Sequence, residues 1–394
     1  MKSGWAIKKL GEVCEASNGL WKGKKGPFRK IAVLRSTNFT KECQLDLSDV
    51  VYIDVESRLL PRKLLREGDI IIEKSGGGPR QPVGRPVYFD KNVGEYSFCN
   101  FTSMLRVADS DVLPLYLHRC LYYLYVSGAT ESLQSYTIGL RNLDFKGYLD
   151  LDIPIPPLPE QKRIVVKIDA AFEKIDKLKA NAERNLANAK ELFQSALDEA
   201  MRPKDGWVEK RLGEVGPVCM CKRILKSETN ESGGVPFYKI GTFGKTPNAY
   251  ISEETYRRYR ELYKFPRKGE ILISAAGTIG RTVVYDGEPA YFQDSNIVWI
   301  ANDETKVSNA YLQWYYKTSP WCVTKGATIP RLYNDNITSA AIAIPPIAEQ
   351  RQIVKRLDFL AEKVKLLEQH YTRQIADCAE MRQAVLREAF EGRL

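Results

Sequence analysis

Two stretches of the chain repeat apolar positions every seven residues, and each stretch follows the sequence Ile-Pro-Pro. The first repeat consists of Ile168, Ile175, Ala182, Ala189 and Ala196, interleaved with Ala171, Leu178, Asn185 and Leu192. The second consists of Leu357, Val364, Tyr371, Cys378 and Val385, interleaved with Leu360, Leu367, Gln374 and Met381. Apolar residues at this spacing form the seam of a coiled coil. Because proline commonly stands at a helix start, the pattern predicts two long helices, over 156–203 and 346–394.

The remaining sequence, 1–155 and 204–345, has a different pattern. Short runs of β-branched and aromatic residues alternate with Gly, Pro, Asn and Asp, as in Asp69–Ile72 and Asn296–Ile300. Helical stretches over 115–125 and 310–317 interrupt these runs. We therefore predict two mixed α/β domains and an α+β fold class.

The two halves are copies of one plan. Trp5–Val13 recurs as Trp207–Val215, and Ile155–Gln161 recurs as Ile344–Gln350. Between these motifs we align Arg66–Ile72 with Arg267–Ile273, and Ser75 and Gly84-Arg85 with Ser274 and Gly280-Arg281. This order predicts an internal repeat in which each half is a globular domain followed by a helix.

Two similar halves pair most simply about a pseudo-two-fold axis, so we expect the long helices to be antiparallel. In the aligned repeats Asn185 falls on Gln374, and a polar seam residue of this kind commonly fixes helix register. Small alanines in one seam, such as Ala182, and bulky residues in the other, such as Tyr371, predict complementary volumes. The alternative is that each helix packs separately on its own domain.

Charge is distributed unevenly. Lys and Arg exceed Asp and Glu by 59 to 49, a net charge of +10. Residues 160–201 are balanced and residues 349–394 carry +1, so the domains and linkers hold the surplus. A basic surplus of this size favours a polyanionic partner such as nucleic acid, although a basic protein without such a partner is an alternative. A helix of about 38 residues is roughly 55 Å long, longer than one DNA turn of about 34 Å.

Candidate contacts to nucleic acid follow from this distribution. A basic loop with glycines runs from Trp21 to Arg29, and arginines recur at Arg85 and Arg281 and at Arg141 and Arg331. Arginine can bond guanine bidentately or bind a phosphate, whereas a structural salt bridge is the alternative for each residue. The predicted DNA-contacting residues are Lys22, Lys24, Lys25, Arg29, Arg35, Arg80, Arg85, Arg141, Lys239, Lys245, Arg281, Lys325 and Arg331.

The sequence carries no recognisable catalytic or metal-binding signature. Gly76-Gly77-Gly78 lacks the setting of a dinucleotide site, and Gly244-Lys245-Thr246 lacks the upstream glycine of a P-loop. Eight scattered cysteines and two histidines give no zinc-ligand spacing. The Ile-Pro-Pro motifs lack the amide of the Asn-Pro-Pro-aromatic motif of adenine methyltransferases. We expect a non-catalytic cytoplasmic chain without a metal, a signal peptide or a membrane span.

The complete arrangement resembles the HsdS family, the specificity subunits of Type I restriction-modification systems. The resemblance rests on the duplicated Trp-x-x-x-x-Leu-Gly-Glu-Val, Gly-Asp/Glu-Ile-Leu/Ile-Ile and Ile-Pro-Pro-x-x-Glu-Gln motifs and on the ending Glu388–Leu394. It implies that 1–155 and 204–345 are target recognition domains, each reading one half of a bipartite target in double-stranded DNA. Because Trp21–Arg29 and Cys221–Val235 differ, the target should be asymmetric.

The resemblance also implies partners. The paired helices would act as a ruler and as the docking surface for two methyltransferase (HsdM) subunits, which restriction/translocase (HsdR) subunits then join. S-adenosylmethionine, ATP and Mg²⁺ would belong to those partners.

Three other functions remain open. A specificity subunit of a Type IIB system would keep the DNA-reading role. A stand-alone DNA-binding regulator would bind tightly without a partner. A self-sufficient nuclease or methyltransferase would be active as the purified chain with Mg²⁺ or S-adenosylmethionine.

Overall fold

The computed structural model describes residues 5–20, 25–77, 81–92, 94–137, 139–318, 321, 331–391 and 393. The chain divides into two compact units. The first unit is Met1–Glu183 with Thr372–Leu394, and the second is Arg184–Tyr371. Each unit therefore combines one globular domain with parts of both long helices, and the predicted α+β fold with an internal repeat is confirmed.

The described strands of the first unit form four sheets, with the orders β2-β9-β5-β7, β4-β3-β8, β10-β11-β6 and β1-β12. Their bounds are β1 (Ala6–Lys9), β2 (Cys14–Asn18), β3 (Phe28–Leu34), β4 (Val51–Glu56), β5 (Ile70–Glu73), β6 (Ser75–Gly77), β7 (Pro86–Tyr88), β8 (Tyr96–Phe98), β9 (Thr102–Val107), β10 (Gln134–Thr137), β11 (Leu140–Leu143) and β12 (Asp152–Ile155).

The described strands of the second unit form three sheets that match three of these, with the orders β14-β20-β17-β18, β16-β15-β19 and β13-β21. Their bounds are β13 (Val208–Arg211), β14 (Val218–Cys219), β15 (Val235–Tyr238), β16 (Tyr250–Ile251), β17 (Ile271–Ser274), β18 (Thr282–Val284), β19 (Tyr291–Phe292), β20 (Ile297–Ile300) and β21 (Ala341–Ile344). In the matching sheets β4-β3-β8 and β16-β15-β19 one pair is parallel, β3 with β8 and β15 with β19.

The helices include the two long ones that the heptads predict. Their bounds are α1 (Leu10–Val13), α2 (Pro114–Val126), α3 (Phe145–Leu149), α4 (Leu158–Ala200), α5 (Leu212–Val215), α6 (Glu253–Leu262), α7 (Asn309–Lys317), α8 (Asn334–Thr338) and α9 (Ile347–Phe390).

The duplicated Leu-Gly-Glu-Val motif forms a single helical turn in each unit. Its leucine is fully buried in both copies, and its glutamate accepts a hydrogen bond from the backbone N–H three residues earlier. A Cβ on Gly11 would lie 3.3 Å from the Leu149 carbonyl oxygen, and one on Gly213 would lie 3.0 Å from the Thr338 Cβ. The motif therefore serves the architecture, because its residues fill the core, permit a close approach or cap the helix.

The glutamine of the Ile-Pro-Pro-x-x-Glu-Gln motif joins each long helix to its domain. Gln161 is fully buried, donates to the carbonyl oxygens of Asp111 (2.7 Å) and Pro156 (2.8 Å), and accepts from Leu113 N (2.8 Å). Gln350 repeats this arrangement with Lys306 O (2.8 Å), Pro345 O (2.9 Å) and Ser308 N (2.9 Å). A side-chain amide offers both donors and an acceptor, which glutamate does not.

The contacts along the two long helices follow an antiparallel order. In the first unit Asp176 of α4 forms an ion pair with Arg382 of α9. In the second unit Lys190 Nζ of α4 lies 4.0 Å from Glu368 Oε1 of α9. From the first contact to the second the residue number rises along α4 and falls along α9, as the pseudo-two-fold repeat predicts.

The predicted seam is only half right. Its first set of positions is buried or half-buried, as Ile168, Ile175 and Leu357 show, and Val364 is half-buried. Its interleaved set is mixed: Ala171, Asn185 and Leu360 are half-buried, whereas Leu178 is 52% exposed and Leu192 is 71% exposed. Leu367, Gln374 and Met381 are exposed too, so Gln374 does not have the burial that the predicted polar layer with Asn185 requires.

The buried face instead continues four residues after each correct seam position, as at Phe172 after Ile168. Phe172 packs on Tyr122 of α2, and Arg119 of α2 pairs with Asp169 of α4 at 2.8 Å. The helices therefore pack on their domains as well as on each other, which combines the two alternatives of the sequence. A helix with neighbours on two sides needs a wider apolar face than a coiled-coil seam provides.

Candidate nucleic-acid interface

The first repeated arginine, Arg85, does not lie on the surface. It is 4% exposed, and it donates to both carboxylate oxygens of Glu73, from Nε at 2.8 Å and from Nη2 at 3.0 Å. Its Nη1 donates to the Phe39 carbonyl oxygen at 2.7 Å. The prediction that Arg85 contacts DNA is wrong, because a buried carboxylate already takes its guanidinium group.

The second repeated arginine, Arg281, is half-buried and has a different neighbour. Its Nη1 donates to the Phe243 carbonyl oxygen at 2.9 Å, but Ser274 stands at the end of β17 where Glu73 stands at the end of β5. Arg281 and the exposed Lys245 line one pocket of about 230 Å³. Two of the predicted residues thus meet at one accessible site.

Lys239 and Arg331 also meet, in a polar cleft of about 440 Å³ on the second unit. Arg223 and Lys226 line the same cleft, and Arg223 Nε is 2.8 Å from Asp294 Oδ2. Three of these four cations have no carboxylate within ion-pair distance among the described residues, which makes the cleft attractive to an anion. Arg223 and Lys226 were missed, although the basic run from Lys222 to Lys226 is visible in the sequence.

The strand register corrects two of the sequence alignments. Asn142 lies opposite Ser75, and Arg331 lies opposite Ala276 in the second unit. Leu143 N donates to Lys74 O and Leu332 N donates to Ala275 O, both at 2.8 Å. Arg331 therefore corresponds to Asn142 rather than to Arg141, and Ser274 corresponds to Glu73 rather than to Ser75.

Arg141 lies instead in the hairpin of β10 and β11, where it pairs across the strands with Tyr136. Its Nη1 donates to Gln134 Oε1 at 3.2 Å, and the side chain is half-buried. Tyr136 is 56% exposed. An exposed aromatic ring beside an arginine is a suitable surface for a sugar–phosphate backbone or a base.

Two lysines that the sequence does not single out form a basic cluster in the first unit. Lys74 Nζ donates to Asn18 Oδ1 at 2.7 Å, while Lys63 Nζ donates to the Asn18 carbonyl oxygen and to Ser17 Oγ. Burial lowers the pKa of Lys74, and the charge of Lys63 lowers it further. No carboxylate of the described residues pairs with either lysine, so an incoming phosphate would stabilise both charges. Lys63 and Lys74 stand apart in the sequence, so only the fold brings them together.

Comparison with known families accounts for the duplicated architecture. The sequence pattern of the Type I restriction modification DNA specificity domain matches residues 2–186 and again residues 204–375. The chain belongs to this family. Its two matches begin near the two copies of the Trp-x-x-x-x-Leu-Gly-Glu-Val motif, as expected of a specificity subunit with two related halves.

Individual relatives agree with this assignment. The chain is 52% identical over 212 residues to a type I restriction enzyme specificity subunit assigned in Haemophilus influenzae, a match covering 53% of this chain and 55% of that relative. It thus spans about half of that relative's length. It is 23% identical to the EcoKI specificity subunit of Escherichia coli over 100% of this chain and 90% of that protein. A chain from a solved type I restriction-modification system has the same fold, with a TM-score of 0.81 at 21% identity and coverage of 100% and 99%.

The other predicted DNA contacts of the specificity subunit are not gathered into one site. Lys25 and Arg29 are exposed, but Arg29 forms an ion pair with Glu95. Arg35 is half-buried, and its Nη2 lies 2.9 Å from Asp49 Oδ2. Four predicted contacts lie outside the described residues: Lys22, Lys24, Arg80 and Lys325.

Neither histidine of the specificity subunit has the setting of a general base. His118 is buried and its ring Nε2 lies 3.3 Å from the Pro86 carbonyl oxygen, while burial lowers its pKa to about 3. His370 is exposed on α9. Within the described part of the chain, no three His, Cys, Asp or Glu side chains are grouped as metal ligands, and no helix is both long and apolar enough to cross a membrane.

Proposed function

We propose that this specificity subunit reads an asymmetric, bipartite DNA target, with one half-site contacted by each unit. The observation that carries this proposal is that the two units share three sheet orders but present different basic clusters. The first unit presents Lys63 and Lys74, whereas the second presents Lys239 and Arg331 in a cleft. Different side chains on the same architecture provide a physical basis for two different half-sites.

The long helices support a second part of the proposal, that they hold the two half-site readers at a fixed spacing. Helix α4 is 43 residues long and α9 is 44 residues long, each without interruption. At 1.5 Å per residue each spans roughly 65 Å, which exceeds one DNA turn.

The same helices also provide a surface for partner subunits. Large apolar side chains point to solvent from both helices: Val166, Leu178, Leu192, Phe359, Leu366, Leu367 and Met381. Exposed apolar side chains of this size, where they adjoin as Leu366 and Leu367 do in sequence, can contribute to a protein–protein contact. We propose that two methyltransferase (HsdM) subunits dock there and that restriction/translocase (HsdR) subunits join the complex.

In this assembly the chain itself is non-catalytic, and S-adenosylmethionine, ATP and Mg²⁺ bind to the partners. The setting of His118 supports this division, because a buried imidazole with a depressed pKa is poorly placed for proton transfer to a substrate.

The test is to co-express the chain with its neighbouring operon genes, purify the complex and map methylated adenines genome-wide by long-read sequencing. We expect a split, asymmetric motif with a fixed gap. A Type IIB assembly would yield such a motif with partners of different composition. Tight DNA binding by the chain alone, with no co-purifying methyltransferase and no methylation, would favour a regulator instead. Activity of the purified chain with Mg²⁺ or S-adenosylmethionine would show a self-sufficient enzyme.

A further inference from the structure

A pocket of the second unit lies where the first unit holds a buried carboxylate. In the first unit Glu73 N donates to Arg85 O at 3.0 Å, and Gly84 N donates to Glu73 O at 2.8 Å. In the second unit Ser274 N donates to Arg281 O at 2.9 Å, and Gly280 N donates to Ser274 O at 3.0 Å. The backbone hydrogen bonds are the same, so Ser274 replaces Glu73 at an equivalent position.

The two arginines also make one equivalent side-chain contact. Arg85 Nη1 donates to Phe39 O, and Arg281 Nη1 donates to Phe243 O. In the first unit the carboxylate of Glu73 takes the rest of the guanidinium group. In the second unit the Ser274 hydroxyl accepts from Arg281 N and donates to Thr278 O, so it does not replace that carboxylate.

Among the described residues of the unit, no carboxylate neutralises the charge of Arg281. No carboxylate of the described residues lies within ion-pair distance of Arg281 or Lys245, although both line the pocket. Ser274, Thr278, Gly277 and Gly241 complete most of its wall, which contains no acidic residue. The pocket is polar, about 230 Å³ in volume and open to solvent, which suits a tetrahedral oxyanion held by two cations.

We propose that this pocket binds one backbone phosphate of the DNA half-site contacted by the second unit, at the position that the Glu73 carboxylate fills in the first unit. This inference rests on the proposed DNA-reading function and adds a specific ligand group to it. The first unit has no equivalent phosphate site there, because its arginine is already paired.

The first experiment measures how the affinity of the purified complex for its methylation target depends on salt. Two variants alter the pocket: Lys245→Gln removes an exposed cation, and Ser274→Glu supplies the carboxylate of the first unit. Each lost phosphate contact should reduce the magnitude of the slope of log K against log salt concentration by about 1. Leu262→Glu, which adds the same charge at an exposed position on α6, is the matched control and should leave the slope unchanged.

Because Ser274 is buried, its substitution can impair folding, so a second experiment alters the DNA instead. Single neutral methylphosphonate linkages are placed along the target duplex. One linkage in the second unit's half-site should weaken wild-type binding several-fold and should have little further effect on Lys245→Gln. Additive losses at every linkage, or an unchanged slope for Lys245→Gln, would overturn the phosphate pocket. A complex that methylates no bipartite target would overturn the proposed function instead.

Discussion

The two units share the backbone hydrogen bonds around β5 and β17 but differ in how they pair the charges there. The first unit holds two complete pairs, Arg85 with Glu73 and Arg106 with Asp69. The second unit keeps one member of each pair. It has Arg281 but Ser274 in place of the glutamate, and it has Glu270 but Ala301 in place of Arg106. The two units thus keep the same strand pairing at these positions but not the same charged side chains.

The difference has energetic consequences, because removing one partner of a buried ion pair leaves the other uncompensated. In the first unit the intact pair of Arg85 and Glu73 joins the end of β5 to the segment that carries Phe39. In the second unit the arginine is left to face solvent, where a ligand can use it. The same residue type is structural in one half and a candidate DNA contact in the other.

The sharpest way to break this comparison is to truncate both arginines. We expect Arg85→Met to destabilise the protein by about 3–5 kcal/mol, since Glu73 loses its partner in a buried site. The matched Arg281→Met change should cost about 1 kcal/mol, the value of one hydrogen bond. Calorimetric unfolding of both variants measures these costs. Equal losses of stability would show that Arg281 is as fully paired as Arg85.

A second comparison is between the buried and the exposed face of α4 in the first unit. Ile175→Ala should cost about 2–5 kcal/mol, because Ile175 lies in the core of the first unit. Leu178→Ala, three residues later on the exposed face, should change stability by less than about 0.5 kcal/mol. The measurement is denaturant unfolding. A comparable loss for Leu178→Ala would restore the coiled-coil seam predicted from the heptads.

Gln161 and Gln350 make equivalent hydrogen bonds in the two halves. Gln161→Leu and Gln350→Leu should each cost about 1–3 kcal/mol, because each leaves buried backbone groups without partners. Hydrogen exchange of Leu113 N and Ser308 N should accelerate in the respective variants. If only one variant responds, the two junctions between domain and helix are not equivalent.

The smallest expected effect concerns pH. Burial raises the pKa of Glu270, so this carboxyl group stays protonated to a higher pH in the folded protein than in the unfolded chain. Its contribution to stability is greatest below the unfolded pKa and falls as pH rises towards the folded pKa. Wild-type protein should therefore lose stability relative to Glu270→Gln as the pH rises above about 4.5, the ordinary pKa of this carboxyl group. Thermal unfolding over this range measures it, and a difference that grows in favour of the wild type would contradict the assignment.

The sequence predicted the features that repeat and missed those that depend on tertiary neighbours. The internal repeat, both long helices and their antiparallel direction follow from spacing and duplication alone. Leu178 and Leu192 were misplaced because a heptad reports periodicity but not how many neighbours a helix has. Arg85 is buried because it pairs with Glu73, twelve positions earlier. Only the strand register shows that these two side chains meet. Lys63 and Lys74 likewise meet only through Asn18.

The central claim is that two units of one architecture read two different half-sites. The most direct test replaces residues 204–345 with a second copy of residues 1–155, confirms that the methyltransferase still co-purifies, and maps the methylated adenines. We expect a bipartite target in which the first unit's half-site appears twice, as an inverted repeat. A complex that still methylates the original asymmetric target would contradict the claim.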